Sequence, residues 1–400
     1  MPGHPLRVAL VVGEESGDQL GAGLMEALRR VRPDVAFMGL AGERMKARGM
    51  KSAVPLGDVA VMGLGSVIAH LPRIVRRAYT IVDAVVEARP DVLVLIDSPE
   101  LTHAVARRVA RKLPDLPIVD YVSPTVWAWR AYRARRMRGY VDHVLALLPF
   151  EPDVHRRLGG PPCTYVGHPL IERLDELRPA PGERPPLAER PTLLVLPGSR
   201  RTEISRLMEP FGETVRRISE ARPDVDILLP AVPHLESEIR ARAALWGRTP
   251  AIVVGEAAKL AAFRRAHAAL AASGTVSLEL GLAGVPTVIA YRVDPIARVL
   301  KHLFLNVPSI VLTNLVLGEN AMPEFLDSAG SPEVLARETL ELLTEGPARA
   351  AQLAALAKLS EIMVLSDGER PSGRAAGIVI EAAEHERGRR AQQLRQGRAR

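Results

Sequence analysis

Cysteine is almost missing: Cys163 is the only one in 400 residues. No disulfide can close within the chain and no cysteine-based zinc site can form, which fits a reducing cytoplasm. Long apolar runs are missing too. A membrane-crossing helix needs about 18 such residues, whereas Val92–Ile96 and Ile310–Val316, the latter broken by Thr313 and Asn314, are strand-sized. The ten histidines include no H-x-x-x-H or H-E-x-x-H pairing, so no metal and no other cofactor is expected. Asp224-Val225-Asp226 has a metal-binding D-x-D form, but it opens a strand, the wrong end of a parallel sheet for a ligand. Met1–Val12 has no basic leader and no cleavage site. It runs straight into a glycine turn and reads as a first strand rather than a signal peptide.

Lysine is scarce as well. Only six of the 53 basic residues are lysine and 47 are arginine, against 46 acidic residues, for a net charge of +7. Composition alone accounts for much of that excess, but two clusters stand out: Arg130, Arg133, Arg135, Arg136 and Arg138, and a C-terminal tail of Arg387, Arg389, Arg390, Arg395, Arg398 and Arg400. Such clusters suit phosphates, anionic lipid heads or nucleic acid. The apolar fraction of 47% and charged fraction of 25% exclude global disorder and supply core for more than one domain. At roughly 100–200 residues per domain, two is the central expectation.

Short β-branched runs alternate with helical stretches along the chain, as in Arg7–Val12, Val92–Ile96, Ile118–Val122, Thr192–Leu196, Ala268–Ala271 and Ile310–Leu312. This alternation predicts α/β domains with parallel sheets. Runs that are apolar throughout fit strands covered on both faces. The proline-rich stretch around 178–191 reads as a linker. The expected organisation is a first domain over 1–175, completed by a returning helix over 367–388, a linker over 176–191, a second domain over 192–366 and a disordered basic tail over 389–400.

Three turns and one carboxylate can carry chemistry. Gly13-Glu14-Glu15-Ser16-Gly17-Asp18 follows the first strand and opens a helix. It is not G-x-G-x-x-G, and its acidic residues repel a pyrophosphate, so Glu14, Ser16, Gly17 and Asp18 suit sugar hydroxyls better; a plain tight turn fits as well. Leu196-Pro197-Gly198-Ser199-Arg200-Arg201 places a hydroxyl, two guanidiniums and a helix N-terminus where a diphosphate would sit. Ser273-Gly274-Thr275 is a third strand-to-helix turn with phosphate-binding donors, and Glu279 lies one turn deeper, where it can accept from ribose hydroxyls. Ordinary helix caps fit both of these turns too. Asp97, at the C-terminal end of a buried strand, is suited to take a proton from a hydroxyl or to cap the next helix. His168 is a further crevice candidate. A helix from Gly65 puts Val67, Ile68 and Leu71 on one face, with Arg73, Arg76 and Arg77 following. This pattern fits a membrane interface or an ordinary core-facing helix. Trp127, Trp129 and Tyr132 lead into the first arginine cluster.

In order along the chain, the segments GEESGDQLGAGL (13–24), MGLGSVIAHLPRI (62–74), SPTVWAWR (123–130), VDHVLALLPFEP (141–152), CTYVGHPL (163–170), LPGSRRTEI (196–204), ASGTVSLEL (272–280), AYRV (290–293), TNLV (313–316) and PEFL (323–326) resemble the lipid-A-disaccharide synthase family, glycosyltransferase family 19. The resemblance implies a GT-B architecture of two Rossmann-like doubly wound domains, with the active site between them and a C-terminal helix crossing back. It implies inverting transfer of 2,3-diacylglucosamine from its UDP derivative to the 6-hydroxyl of 2,3-diacylglucosamine 1-phosphate, without a metal, at the anionic cytoplasmic face of the inner membrane. On that resemblance Asp97 is the base, and Ser199, Arg200, Arg201, Ser273, Gly274, Thr275, Glu279 and Asn314 hold the nucleotide sugar. Glu14, Ser16, Gly17 and Asp18 face the acceptor. An exchanged C-terminal segment would be compatible with a homodimer. One departure is clear: the family reads Asp-Phe-Asn where this chain has Glu100-Leu101-Thr102. The alternative is another GT-B enzyme with a UDP-N-acetylglucosamine-type donor, either a transferase to a polyprenyl-linked acceptor or a UDP-sugar epimerase. Nucleic-acid binding is not expected, because it gives the acidic turn no role.

Overall fold

The computed structural model describes residues 5–58, 64–292, 308–365 and 368–398; over 64–71 and 386–398 it describes the backbone alone. The chain forms two compact units, one of residues 1–169 with 365–400 and one of residues 170–364.

The first unit is a six-stranded parallel sheet: β1 (Arg7–Val12), β2 (Ala36–Leu40), β3 (Val92–Ile96), β4 (Ile118–Tyr121), β5 (His143–Ala146) and β6 (Cys163–Tyr165). Their spatial order is β2-β1-β3-β4-β5-β6. All five residues of β3 are fully buried, as a strand covered by helices on both faces requires. Helix α1 (Glu15–Val31) turns Leu24, Met25 and Leu28 onto one face of the sheet. Helices α2 (Glu43–Ala47) and α3 (Leu64–Ala88) follow, and α3 with α4 (Pro99–Lys112) covers the other face through Ile81, Val82, Val85, Val105 and Val109. Two shorter helices, α5 (Tyr132–Met137) and α6 (Glu151–Leu158), complete the ascending part.

The second unit holds β7 (Thr192–Leu196), β8 (Asp226–Ala231), β9 (Ala251–Val254), β10 (Ala268–Ala272), β11 (Thr287–Tyr291) and β12 (Glu324–Leu326), again parallel, in the order β12-β11-β10-β7-β8-β9. This is the doubly wound dinucleotide-fold order. Among the described residues its helices are α7 (Leu174–Leu177), α8 (Arg201–Ala221), α9 (Glu236–Ala243), α10 (Glu256–Arg265), α11 (Val276–Leu282), α12 (Leu312–Leu317), α13 (Pro332–Leu342) and α14 (Pro347–Met363). The last helix, α15 (Pro371–Arg398), belongs to the first unit. Ala375, Ala376, Val379, Ile380 and Ala383 repeat at helical spacing and bury themselves in the core beside α1. The helix expected to cross back is therefore present.

Three expectations need correction. Ile310–Leu312 is not a strand; the chain bends there and enters α12. Glu324 holds the bend by accepting from Ser309 Oγ at 3.0 Å and from Ile310 N at 3.2 Å. A short apolar run does not by itself distinguish a strand from a buried bend or helix. The proline-rich stretch around 178–191 lies inside the second unit, with the change of unit at Pro169/Leu170. The Arg184 guanidinium donates to the carbonyls of Arg264, Gly284, Phe263 and Ala283, and Arg178 Nε donates to Leu282 O. The stretch that looked like a tether is instead fastened to its own unit by these two arginines. The helical backbone also continues to Arg398 through the segment expected to be disordered. Arginine, glutamine and alanine are good helix formers even without an apolar face.

Candidate active site

In the first unit, β1 and β3 are neighbours, with Val12 opposite Ile96. Strand order runs in opposite directions on either side of this pair, so the crevice beyond their C-terminal ends is the switch point where such sheets take ligands. The Gly13–Asp18 turn and Asp97 both arrive there. Ser16 Oγ donates to Asp97 Oδ2 at 2.6 Å, and Ser98 N donates to Oδ1 at 2.7 Å. These bonds orient the carboxylate while each oxygen keeps acceptor capacity. The close approach needs glycine: a Cβ on Gly13 would stand 2.2 Å from Ser98 Cβ, and one on Gly17 would stand 3.0 Å from Ile96 O. Glu14 is exposed beside Ser16.

Backbone strain collects at the same edge. Asp97 (φ 60°) and Ser98 (φ 44°) are both left-handed, and Val122, just past β4, has φ 91°. Each such conformation costs a side-chain-bearing residue on the order of 1 kcal/mol. Thr102 on α4, fully buried, fastens the kink. Its Oγ1 donates to Asp97 O at 2.9 Å and to Ser98 O at 3.1 Å. The sequence reading missed Thr102, though its place four to five residues past the kink is where a helical hydroxyl can bond back.

Asp18 does not join this group. It is 2% exposed, and its carboxylate accepts from Gly42 N (2.9 Å), Arg44 N (2.8 Å) and Met45 N (3.2 Å), capping α2. Its expected contact with an acceptor is replaced by this structural role, because three backbone donors leave the oxygens engaged. His168 follows β6, three strands and about 14 Å from β3 in the sheet. Burial pushes its pKa down to about 4, so the imidazole is neutral at physiological pH.

The switch point of the second sheet lies between β7 and β10, and two glycine turns meet there. Ser199, Arg200 and Arg201 are exposed after β7. Gly198 has φ 117° and a Cβ there would stand 2.4 Å from Glu203 Oε2, so glycine is required. Glu203 folds back and accepts from Ser199 N at 2.9 Å and Arg200 N at 3.1 Å. These two backbone donors are thus occupied by the helix's own capping carboxylate. The Ser199 hydroxyl and the two guanidiniums remain on the surface. Arg200 pairs with Glu203 at 3.4 Å and Arg201 with Glu238 at 3.1 Å, with the arginine side chains 68% and 75% exposed.

After β10, Gly274 and Thr275 are exposed, and a Cβ on Gly274 would meet nothing within 4 Å. Ser273 points elsewhere: its Oγ donates to Ile310 O at 2.9 Å and fixes the α12 bend. Glu279 accepts from Lys259 Nζ at 3.0 and 3.2 Å, a pairing that the sequence reading missed. Asn314 is 2% exposed; its side chain donates to Asn320 Oδ1 and Met322 O and accepts from Met322 N, all at 2.8 Å. Its expected nucleotide contact gives way to closing the loop before β12.

The side chains of Val67, Ile68 and Leu71 lie outside the described residues. Further along α3, Arg73 and Arg77 both pair with Asp58, the latter at 2.7 Å, and Arg76 is exposed. Val75 and Tyr79 are also exposed, with the Arg108 guanidinium 4.9 Å above the Tyr79 ring. Among the described residues no helix is long and apolar enough to cross a membrane, and no metal-binding cluster occurs.

Known proteins fit this geometry. The family model for lipid-A-disaccharide synthetase matches residues 8–369. A lipid-A-disaccharide synthase of Nitrobacter winogradskyi is 52% identical over 386 residues, covering 96% of this chain and 97% of that protein. One of Rhodospirillum centenum is 39% identical over 383 residues, covering 94% of each. In fold, the chain resembles the glycotransferase of kitacinnamycin (TM-score 0.62, 20% identity, 95% of this chain and 100% of that one). It also resembles MurG of Acinetobacter baumannii (TM-score 0.56, 15% identity, 94% and 100%). Two parallel six-stranded units of this kind make a GT-B fold, and the epimerase and polyprenyl-acceptor alternatives are not favoured. With the family model and the relatives each spanning most of the chain, the protein belongs to the lipid-A-disaccharide synthase family and is a disaccharide-forming glycosyltransferase.

Proposed function

We propose that the first unit binds 2,3-diacylglucosamine 1-phosphate and the second binds UDP-2,3-diacylglucosamine, with Asp97 as the base. The observation that carries this reading is the Ser16–Asp97 contact of 2.6 Å at the β1/β3 switch point. Asp97 takes the proton of the acceptor's 6-hydroxyl as O6 forms a bond to C1 of the donor sugar. The bond from C1 to the diphosphate oxygen breaks, the electron pair leaves with UDP, and C1 is inverted. Ser16 holds the carboxylate in line, and Glu14 offers further hydroxyl contacts.

On the departing side, Ser199, Arg200, Arg201, the Gly274 backbone and Thr275 meet the growing diphosphate charge. Glu279 accepts from the ribose. Arg200 and Arg201 hold exposed ion pairs, worth about 0–1 kcal/mol each, so a diphosphate can take them over through bidentate contacts. The exposed Val75, Arg76 and Tyr79 on α3 support association with an anionic membrane surface, where the acyl chains of both substrates would remain. The acyl substrates keep this chemistry at the cytoplasmic face of that membrane.

The test is UDP release by the purified protein given UDP-2,3-diacylglucosamine and 2,3-diacylglucosamine 1-phosphate. Release that requires both lipids, with a β-1′,6-linked product, is expected. Absence of release with both present would falsify the assignment.

A further inference from the structure

Four side chains without a part in that transfer, Glu100, Trp129, Arg130 and Arg133, converge on one another. Glu100 stands in the first turn of α4, and its Oε1 lies 3.2 Å from Arg130 Nη1 and 2.5 Å from Arg133 Nη2. Both guanidiniums lie over the Trp129 ring, at 4.0 and 5.7 Å from its centroid. The loop that carries them is well anchored. Trp129 Nε1 donates to Thr125 Oγ1 at 3.1 Å, and Trp127 Nε1 donates to the buried Glu151 at 3.2 Å. The Trp127 ring packs edge-on against Phe150 with centroids 5.5 Å apart. Arg130 is left-handed, with φ 53°, a further unfavourable backbone conformation at this sheet edge. Asp97 N donates to Tyr121 O, so the segments after β3 and β4 leave the sheet side by side. Glu100 is three positions past Asp97, at most about 10 Å of chain, which is within reach of a single phosphorylated sugar.

We propose that Arg130 and Arg133 form a phosphate-monoester subsite that receives the 1-phosphate of the acceptor while its 6-hydroxyl lies at Asp97. This inference rests on Asp97 being the base. Two planar forks match the oxygens of a phosphate, and stacking on the indole fixes their planes. One carboxylate oxygen serves two guanidiniums, so the cluster carries a net positive charge. The Glu100 side chain is 72% exposed, and exposed pairs are weak, so an incoming dianion displaces it readily. Arg135, Arg136 and Arg138 are exposed on and just after α5 and add to the attraction. Glu100 keeps the forks together until the ligand arrives.

The experiment uses the full chain in non-ionic detergent micelles, with two acceptors: 2,3-diacylglucosamine 1-phosphate and the same lipid without its phosphate. Arg130→Gln and Arg133→Gln should each raise the KM for the phosphorylated acceptor by about 10-fold or more, as expected for loss of a charge-assisted contact. The donor KM should not follow. In the double variant the preference for the phosphorylated acceptor should fall toward one. That preference is a ratio within one preparation, so partial unfolding does not move it. Arg133→Lys, which keeps the charge but loses the fork, should fall between. An undiminished preference in the double variant overturns the proposal. So does a double variant that loses binding to phosphatidylglycerol-containing vesicles yet still discriminates in micelles, since the arginines would then serve a bilayer surface. Failure of the Asp97 reading has another signature: wild-type-like turnover in Asp97→Asn with the phosphate preference intact.

Discussion

The two units open with the same local design and use it in opposite ways. Each first strand ends in a glycine turn that starts a long helix at its sheet's switch point. In the first unit the turn reaches outward: glycines let it lie against the Asp97–Ser98 kink, and Ser16 bonds the carboxylate. In the second unit the turn closes on itself: Glu203 takes the backbone donors of Ser199 and Arg200, while the Ser199, Arg200 and Arg201 side chains stay exposed. A strand–glycine–helix turn therefore does not specify a phosphate site through its backbone alone. The charge of its side chains, and whether the helix brings its own capping carboxylate, decide what it can bind.

Breaking the first turn's partnership should have the largest effect. Asp97→Asn keeps the shape and removes the base, and should lower turnover by about 10²–10⁴-fold. UDP affinity, read by calorimetry, should hold. Comparable turnover in the variant removes Asp97 from the base role.

The second turn predicts the converse pattern. Arg200→Gln and Arg201→Gln should weaken UDP binding by about 10-fold each, as for one charge-assisted contact, with little change in acceptor KM. Whichever variant leaves UDP affinity intact identifies the arginine that the diphosphate does not touch.

A sharper test of the kink is Thr102→Val, which deletes the hydroxyl but keeps the shape. Loss of the bonds to Asp97 O and Ser98 O should lower kcat by roughly 10-fold, of the order of one hydrogen bond, with KM for both substrates unchanged. Thr102→Ser should restore it. A fall in thermal stability alone, with kcat intact, would make Thr102 purely structural.

The smallest effect is on stability. Glu151 is buried, and burial pushes its pKa up to about 7 despite the donors Leu148 N and Trp127 Nε1. A carboxyl with a raised folded pKa stabilises below its unfolded value near 4.5, and that contribution is lost as pH rises through about 7. Glu151→Gln should therefore gain stability relative to the parent between pH 5 and pH 8, on the order of 1–3 kcal/mol by urea unfolding. A constant difference across that range would mean the group does not titrate there.

Much of the fold and part of the site were legible in the residues. Val92–Ile96 could be read as a buried strand because a run apolar on both faces has few other uses, and α15 as a returning helix because its apolar residues keep helical spacing. Asp97, Ser16, Ser199, Arg200, Arg201, Gly274 and Thr275 could be placed at the sheet edges from their position after strands, since a parallel sheet delivers every strand end to one edge. Asp18, Asn314 and Ser273 were misread for a common reason. A polar residue beside a turn looks alike in sequence whether it faces a ligand or answers a backbone donor or acceptor. Asp18 meets α2 twenty-four residues on, Ser273 meets Ile310, and Asn314 meets Met322.

What the sequence determined by itself is therefore the local part: strand and helix patterning, the sign of charge at each turn, and the order of the segments that carry the family resemblance. Only the tertiary structure decided which polar groups are already satisfied. It set Ser16 on Asp97, Thr102 under the kink, Glu203 over its own helix terminus and Glu100 between two arginines. Ser16 with Asp97 and Glu100 with the two arginines come from different strand ends, and polar groups find partners wherever packing brings them. Spacing along the chain carries the local pairs, Thr102 and Glu203, but not the two that cross between strand ends.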